Sequence, residues 1–182
     1  MRFLRAQAAR FSGDATRVGA IGASAGGQLV ALLGATNGRA EFEGDGPARA
    51  YSSRVDAVVD IDGLVDFTSG ELLTKEEANP GAPTRFLGGP YRERSHIWRR
   101  ASALAHVHSR SAPTLFLNSS ATTPILPGRA EMKERLEHAG VGAELMVLDH
   151  TPHTFWLLDP WYPRVLAECR RFLEQRLPKP SN

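Results

Sequence analysis

The sequence predicts an α/β fold: one parallel sheet of about four strands, with helices on both faces. Three observations lead there. Four short apolar runs, Thr16–Ile21, Val55–Ile61, Pro113–Leu117 and Glu144–Leu148, alternate with helical patterns. Apolar runs of strand length suit strands covered on both faces, the setting of parallel strands under crossover helices. The first run also ends in a small-residue turn, Gly22-Ala23-Ser24-Ala25-Gly26, that leads into a further apolar stretch. Short, right-handed crossovers make the expected strand order the order of the chain.

The elements follow in turn. Residues 2–11 read as a helix with Leu4, Ala8 and Phe11 on one face. Gly13 and Asp14 are turn signals before the first strand. Residues 27–33 are apolar and stop at Gly34, as a buried helix would. Residues 35–54 are polar and glycine-rich, a surface loop, and Val55–Ile61 is the second strand. Residues 62–90 carry many turn residues and little periodicity, and a loop of that length is usually functional, often a lid over a site. A short helix is expected over residues 95–106, then the third strand. Residues 128–139 are amphipathic through Met132, Leu136 and Ala139, and end at Gly140. After the fourth strand, residues 164–177 form a last helix with Val165, Cys169, Phe172 and Leu173 inward; Pro178 and Pro180 follow it.

The bulk composition excludes several classes. With 182 residues, 42% of them hydrophobic and 23% charged, the chain suits one globular domain with a proper core. Net charge is only +2 and the arginines form no long basic block, so no nucleic-acid partner is expected. Arg99-Arg100 and Arg170-Arg171 read as solvated helix faces. The single cysteine, Cys169, excludes an intramolecular disulfide and a cysteine-based zinc cluster. No 18-residue apolar run marks a membrane span, and Met1-Arg2-Phe3-Leu4-Arg5 lacks the pattern of a signal peptide. A cytoplasmic location is favoured, although a shortened start would equally have removed a leader.

The turn at Ser24 has the G-x-S-x-G spacing of a nucleophile elbow. A serine hydroxyl becomes a useful nucleophile when held exposed on a tight turn beside a base. Flanking small residues let the backbone bend from strand to helix without a Cβ clash. A glycine-rich nucleotide loop is the competing reading. The G-x-G-x-x-G spacing is absent, no Lys-Ser or Lys-Thr pair follows, and the strand-end acids Asp60 and Asp62 lie too far along. The base expected of a serine hydrolase is His153, in Asp149-His150-Thr151-Pro152-His153-Thr154-Phe155-Trp156, after the last strand. Loops at the C-terminal ends of parallel strands share one rim, so Ser24 and His153 are expected on the same side. His150 is the near competitor. His106 and His108 have the spacing of one strand face but no third metal ligand, and His96 and His138 read as surface residues.

Residues 17–35, Phe86-Leu87-Gly88-Gly89-Pro90-Tyr91, residues 101–107 and 112–117, and Pro152-His153-Thr154-Phe155-Trp156 together resemble α/β-hydrolase esterases. The type is that of feruloyl esterases and carbohydrate acetylesterases, near the hormone-sensitive-lipase-like enzymes. The resemblance implies Ser24 as nucleophile, His153 as base and the Ala25 N–H as an oxyanion donor. It implies hydrolysis of short-acyl esters, acetyl foremost, of carbohydrates or small molecules, with no metal or organic cofactor. Two departures stand out. The family's acid normally follows the third strand here in a Gly-x-x-Asp pattern, but Asn118-Ser119-Ser120-Ala121-Thr122-Thr123-Pro124 has no carboxylate. Asp149, four residues before His153, is the leading replacement; Asp62 and Asp66 after the second strand are alternatives, and Glu131 reads as solvent-facing. Family members also carry several strands and a His-Gly-Gly loop before the elbow. The expectation is a truncated α/β-hydrolase, a single N-terminally incomplete domain, whose first strand is an uncovered sheet edge. Such an edge recruits a partner, so a homo-oligomer through residues 1–22 is expected. A catalytically weak module acting by association is the alternative function.

Overall fold

The four apolar runs become four strands: β1 Gly19–Ala23, β2 Ala57–Ile61, β3 Thr114–Ser119 and β4 Ala143–Leu148. The structure is a computed structural model and describes residues 1–120 and 126–178. The strands form one sheet in the order β1-β2-β3-β4, every pair parallel. Gly22 lies opposite Asp60, Asp60 opposite Phe116, and Phe116 opposite Leu145.

Strand side chains alternate between faces, so β2 and β3, buried along their whole length, supply two cores. Val59, Ile61, Leu115 and Leu117 pack with Val165, Cys169 and Phe172 of the last helix, α7 (Tyr162–Arg176). On the other face Phe116 packs with Ala31 and Ala35 of α2 (Ala25–Ala35) and with Met132 and Leu136 of α6 (Arg129–His138). Close approach of α2 depends on glycine. A Cβ on Gly27 would lie 2.3 Å from the Asp60 carboxylate and 2.9 Å from the Gly63 backbone.

Three expectations change. The N-terminal segment is not one amphipathic helix but α1 (Arg2–Ala6) followed by a 3₁₀ turn at Ala8–Phe11. Leu4 and Phe11 remain 48% and 54% exposed, while Arg5 is buried. Its guanidinium donates to the Arg54 carbonyl at 2.9 Å, to Asp56 at 3.0 Å and to the Ala15 carbonyl. Seating that charged fork decides which face turns inward, against the apolar stripe.

The expected loop over residues 62–90 contains two helices, α3 (Gly70–Ala78) and α4 (Ala82–Phe86). Ser69 caps α3 by accepting from the Leu72 N–H at 3.3 Å. The Glu76 carboxylate accepts from the N–H groups of Gly81 and Thr84 and from the Thr84 hydroxyl, fixing the turn between the helices. The helix expected over residues 95–106 starts earlier, as α5 (Tyr91–Ala101), and ends in a 3₁₀ turn at Ala103–His106. Its Trp98 is fully buried against Phe67 and Leu87, so the segment has a small core of its own. No described helix is long and apolar enough to cross a membrane.

Candidate active site

The site forms where β1 ends. Ser24 sits between β1 and α2 with φ 53° and ψ −119°, outside the conformations a serine ordinarily adopts. Its own N–H donates to the Ile61 carbonyl at 2.8 Å, and its carbonyl accepts from the Gln28 N–H at 3.1 Å. Strand ladder and helix thus fix both sides of the strained residue. A Cβ on Gly22 would lie 2.1 Å from the Gly26 carbonyl oxygen, so a bend this tight requires glycine there. Ser24 remains partly exposed at this turn.

Ser24 Oγ lies 2.9 Å from Nε2 of His153, and Nδ1 of His153 lies 3.0 Å from Oδ2 of Asp62. A buried carboxylate accepts at Nδ1, which fixes the proton there and leaves Nε2 free to accept from the serine hydroxyl. The Asp62 side chain is fully buried, whereas the imidazole is 46% exposed. Asp62 Oδ1 accepts from the Ser119 N–H at 2.7 Å. The Asp62 N–H donates to the Leu117 carbonyl at 2.9 Å. Its φ of 50° is a left-handed conformation that aspartate tolerates well. One carboxylate oxygen and the backbone of this residue are therefore positioned from the adjacent strand, which leaves the other oxygen to the imidazole.

This arrangement corrects the expectation for the acid. Asp149 follows β4, is exposed, and precedes His150, whose φ is 57°. Asp62, one of the two alternatives after the second strand, takes the place at Nδ1. The other, Asp66, accepts from the N–H and hydroxyl of Thr68, both at 2.7 Å, and caps a turn. Glu131 pairs with Arg135 on an exposed face of α6. Sequence proximity to His153 favoured Asp149. In a parallel sheet, however, neighbouring strand ends meet across the rim however far apart they are in the chain. The available signal was an acid directly after the all-buried strand β2, next to the strand that carries the serine.

The His153 loop is tied to the loop after β3. Ser120 and Thr151 exchange hydrogen bonds, each N–H donating to the other's hydroxyl at 2.9 Å. Part of the acid-free stretch after β3, Ala121 to Pro124, lies outside the described residues. Trp156 meets the imidazole edge-on at 5.2 Å. Ala25 is the first residue of α2, so its N–H belongs to the free donors at a helix N-terminus.

Directly beneath the rim lies a buried ion pair that the sequence reading did not single out. Arg129, fully buried at the start of α6, reaches Asp60 at 3.1 Å, also fully buried. The same guanidinium donates to the carbonyls of Gly63 at 2.7 Å, Asp60 at 3.0 Å and Leu117 at 3.1 Å. Burial pushes the Asp60 carboxyl up, opposed by Arg129 and by the Gly63 N–H. The remaining histidines stand apart. His106 bonds the Arg100 carbonyl and stacks edge-on with Phe42, while His108 accepts from the Arg110 N–H. Among the described residues no group of three or more His, Cys, Asp or Glu is placed to hold a metal ion.

A family model described as BD-FAE matches residues 1–130, and the chain belongs to that family. Solved structures similar to this chain include esterases. A truncated form of a carbohydrate esterase from gut microbiota is 24% identical with a TM-score of 0.74, over 98% of this chain and 66% of that one. A bifunctional GH43-CE protein of Bacteroides eggerthii is 25% identical with a TM-score of 0.75, over 96% of this chain and 26% of that one. A thermophilic esterase of the Planctomycetes species Thermogutta terrifontis is 22% identical with a TM-score of 0.72, over 99% of this chain and 63% of that one. The chain thus spans less than two thirds of the length of each. No curated protein matches it. The four-stranded parallel sheet with its helices is the α/β-hydrolase-like fold of these esterases.

Proposed function

We propose that the chain hydrolyses carboxylic esters of short acyl groups through an acyl-serine intermediate. The observation that carries this reading is the continuous chain Ser24 Oγ–His153–Asp62, with links of 2.9 and 3.0 Å, at a strained strand-to-helix turn. Ser24 Oγ attacks the ester carbonyl while Nε2 of His153 takes its proton. The Ala25 N–H stabilises the oxyanion that forms. Collapse of the tetrahedral intermediate expels the alcohol, which takes the proton from Nε2. Water then attacks the acyl-serine by the same route and releases the acid. Asp62 stays ionised, orients the imidazole and stabilises its cation. Every step uses side chains and backbone groups of the chain itself.

Family membership supports ester hydrolysis, the names of the solved relatives support a carbohydrate ester, and the name of a further one, an acetyl ester-xyloside bifunctional hydrolase from Caldicellulosiruptor lactoaceticus, supports acetyl among the acyl groups. The test is hydrolysis of 4-nitrophenyl acetate by the wild type and by Ser24→Ala, with organophosphonate labelling beside it. The expected result is a loss of about a thousandfold or more and no labelling of the variant. Equal rates in the two proteins would remove Ser24 from the mechanism.

A further inference from the structure

The Asp62 carboxylate serves the imidazole only if the turn that carries it is held still. That turn follows β2: Asp60 and Ile61 end the strand, Asp62 takes φ 50°, and Gly63 comes next. One carboxylate oxygen must stay on the Ser119 N–H at 2.7 Å and the other on Nδ1 of His153 at 3.0 Å. Hydrogen bonds weaken steeply as they bend, so a small tilt of the turn loses one of the two. Towards α2 the turn has no slack, since a Cβ on Gly63 would lie 2.4 Å from the Gln28 nitrogen.

Arg129 grips the turn on both sides of Asp62. Its Nη1 donates to the Gly63 carbonyl at 2.7 Å and to Oδ1 of Asp60 at 3.1 Å. Its Nη2 donates to the Asp60 carbonyl at 3.0 Å and to the Leu117 carbonyl at 3.1 Å. The Leu117 carbonyl also accepts from the Asp62 N–H at 2.9 Å, so guanidinium and acid hang from one atom. A planar guanidinium fixes the directions of its bonds relative to one another, which an ammonium does not. The fork is itself held: it is fully buried, and its central carbon lies 5.1 Å from the Phe116 ring centre. Gly128 lets the start of α6 come this deep, because a Cβ there would stand 2.6 Å from the Asp66 Cβ.

Charge adds to geometry. Asp60, fully buried two residues before Asp62, closes the turn by accepting from the Gly63 N–H at 2.8 Å. Burial pushes its carboxyl up and Arg129 opposes this, while the Asp62 charge works with burial. Arg129 thus matches the Asp60 charge inside the turn, and the negative charge left facing the imidazole is that of Asp62. We infer that Arg129, paired with Asp60, is a positioning residue for the esterase reading, on which this inference rests. It touches no reacting atom. It acts through Asp62, which it keeps on Nδ1 of His153 so that Nε2 is bare towards the serine hydroxyl.

The experiment introduces Arg129→Lys into two backgrounds, the wild type and Asp62→Asn. Lysine keeps the charge beside Asp60 and gives up the fork. On 4-nitrophenyl acetate, per folded molecule, Arg129→Lys is expected to lower kcat about tenfold to a hundredfold and to leave KM within about twofold. In Asp62→Asn the same change is expected to cost less than about twofold, because the residue it acts through is already lost. An equal loss in both backgrounds means a general loosening of the fold and overturns the proposal. Arg129→Met combined with Asp60→Asn removes the pair without stranding a charge, and is the second variant in case lysine folds poorly. The same drop in kcat is expected from it; a wild-type rate in this variant overturns the proposal. The ring of His153, followed by nitrogen NMR at alkaline pH and assigned with His153→Gln, gives a readout that needs no turnover. The wild type is expected to carry the ring proton on Nδ1, and both variants to show a share of the Nε2–H tautomer. A tautomer unchanged in both variants overturns the proposal. A wild type without Ser24-dependent hydrolysis sinks the esterase reading instead, and the His153 tautomers still decide whether Arg129 positions Asp62.

Discussion

Asp62 carries a sharp test at the scale of single residues. Asn keeps the shape of the side chain and tolerates the left-handed φ of 50°. Asp62→Asn is therefore expected to fold normally. It should still lower kcat about 10³–10⁴-fold, because an amide can donate to the imidazole and favour the wrong tautomer. Asp149→Asn, at an exposed turn residue, is expected to stay within about twofold of the wild type. Steady-state rates on one chromogenic ester, with melting curves of all three proteins, decide between the two carboxylates; the reverse ranking would restore Asp149. That Ser24 and His153 lie on one rim was legible in the sequence because each sits in a local pattern, a small-residue turn and a strand-end loop. The contact of Asp62 with His153 was not, because it spans 91 residues of chain and is set by strand adjacency. Cys169 was legible as a buried thiol, and burial pushes its pKa up to about 11 from an ordinary 9.0. Near pH 8 that lowers the thiolate fraction about a hundredfold. Native protein should accordingly react with a thiol reagent about a hundredfold more slowly than protein unfolded in urea. Comparable rates would mean that α7 does not hold the thiol as packed.

At the scale of elements, the pairing of Arg129 with Asp60 explains how α6 reaches the rim. One guanidinium ties the turn after β2, at the Asp60 and Gly63 carbonyls, to the end of β3 at Leu117. Asp62 lies inside that turn, and its own N–H shares the Leu117 carbonyl. Arg129→Met removes four donated hydrogen bonds and strands a buried carboxylate. The expected cost is about 3–5 kcal/mol, read from urea unfolding. Adding Asp60→Asn relieves the stranded charge, so the double variant is expected to be more stable than Arg129→Met alone. Strict additivity of the two losses would show that the pair is not coupled. The sheet and its strand order were legible because apolar runs under crossover helices admit few arrangements. The helices α3 and α4 were missed for a physical reason. They are short, and polar side chains define them, Ser69 capping one and Glu76 fixing the turn to the other, so hydrophobic periodicity carried no signal. The first ten residues misled in the opposite way, since their apolar stripe is real but Arg5 overrides it.

At the scale of the whole molecule, the sheet ends on one side at β1, which pairs with β2 alone among the described strands. The face of β1 is only partly covered. Gly19 sits under Leu173 of the last helix and Leu177 just after it, where a Cβ would come within 3.0 and 3.1 Å of their methyl groups. Two residues on, Ile21 is 51% exposed, and Phe3, Leu4 and Phe11 are exposed as well. The N-terminal segment therefore turns apolar side chains outward on a molecule whose sheet edge is also open. Unpaired strand groups beside uncovered apolar side chains favour addition of another strand. A two-fold contact that pairs β1 with β1 of a second copy would run the strands antiparallel and cover both Ile21 side chains at once. This predicts a dimer or larger species by light scattering at micromolar concentration. It also predicts that Ile21→Lys, which places a charge on that face without touching the elbow, shifts the distribution to monomer while phosphonate labelling of Ser24 persists. A wild type that stays monomeric across that concentration range would show that the exposed strand edge and its apolar neighbours are tolerated in water.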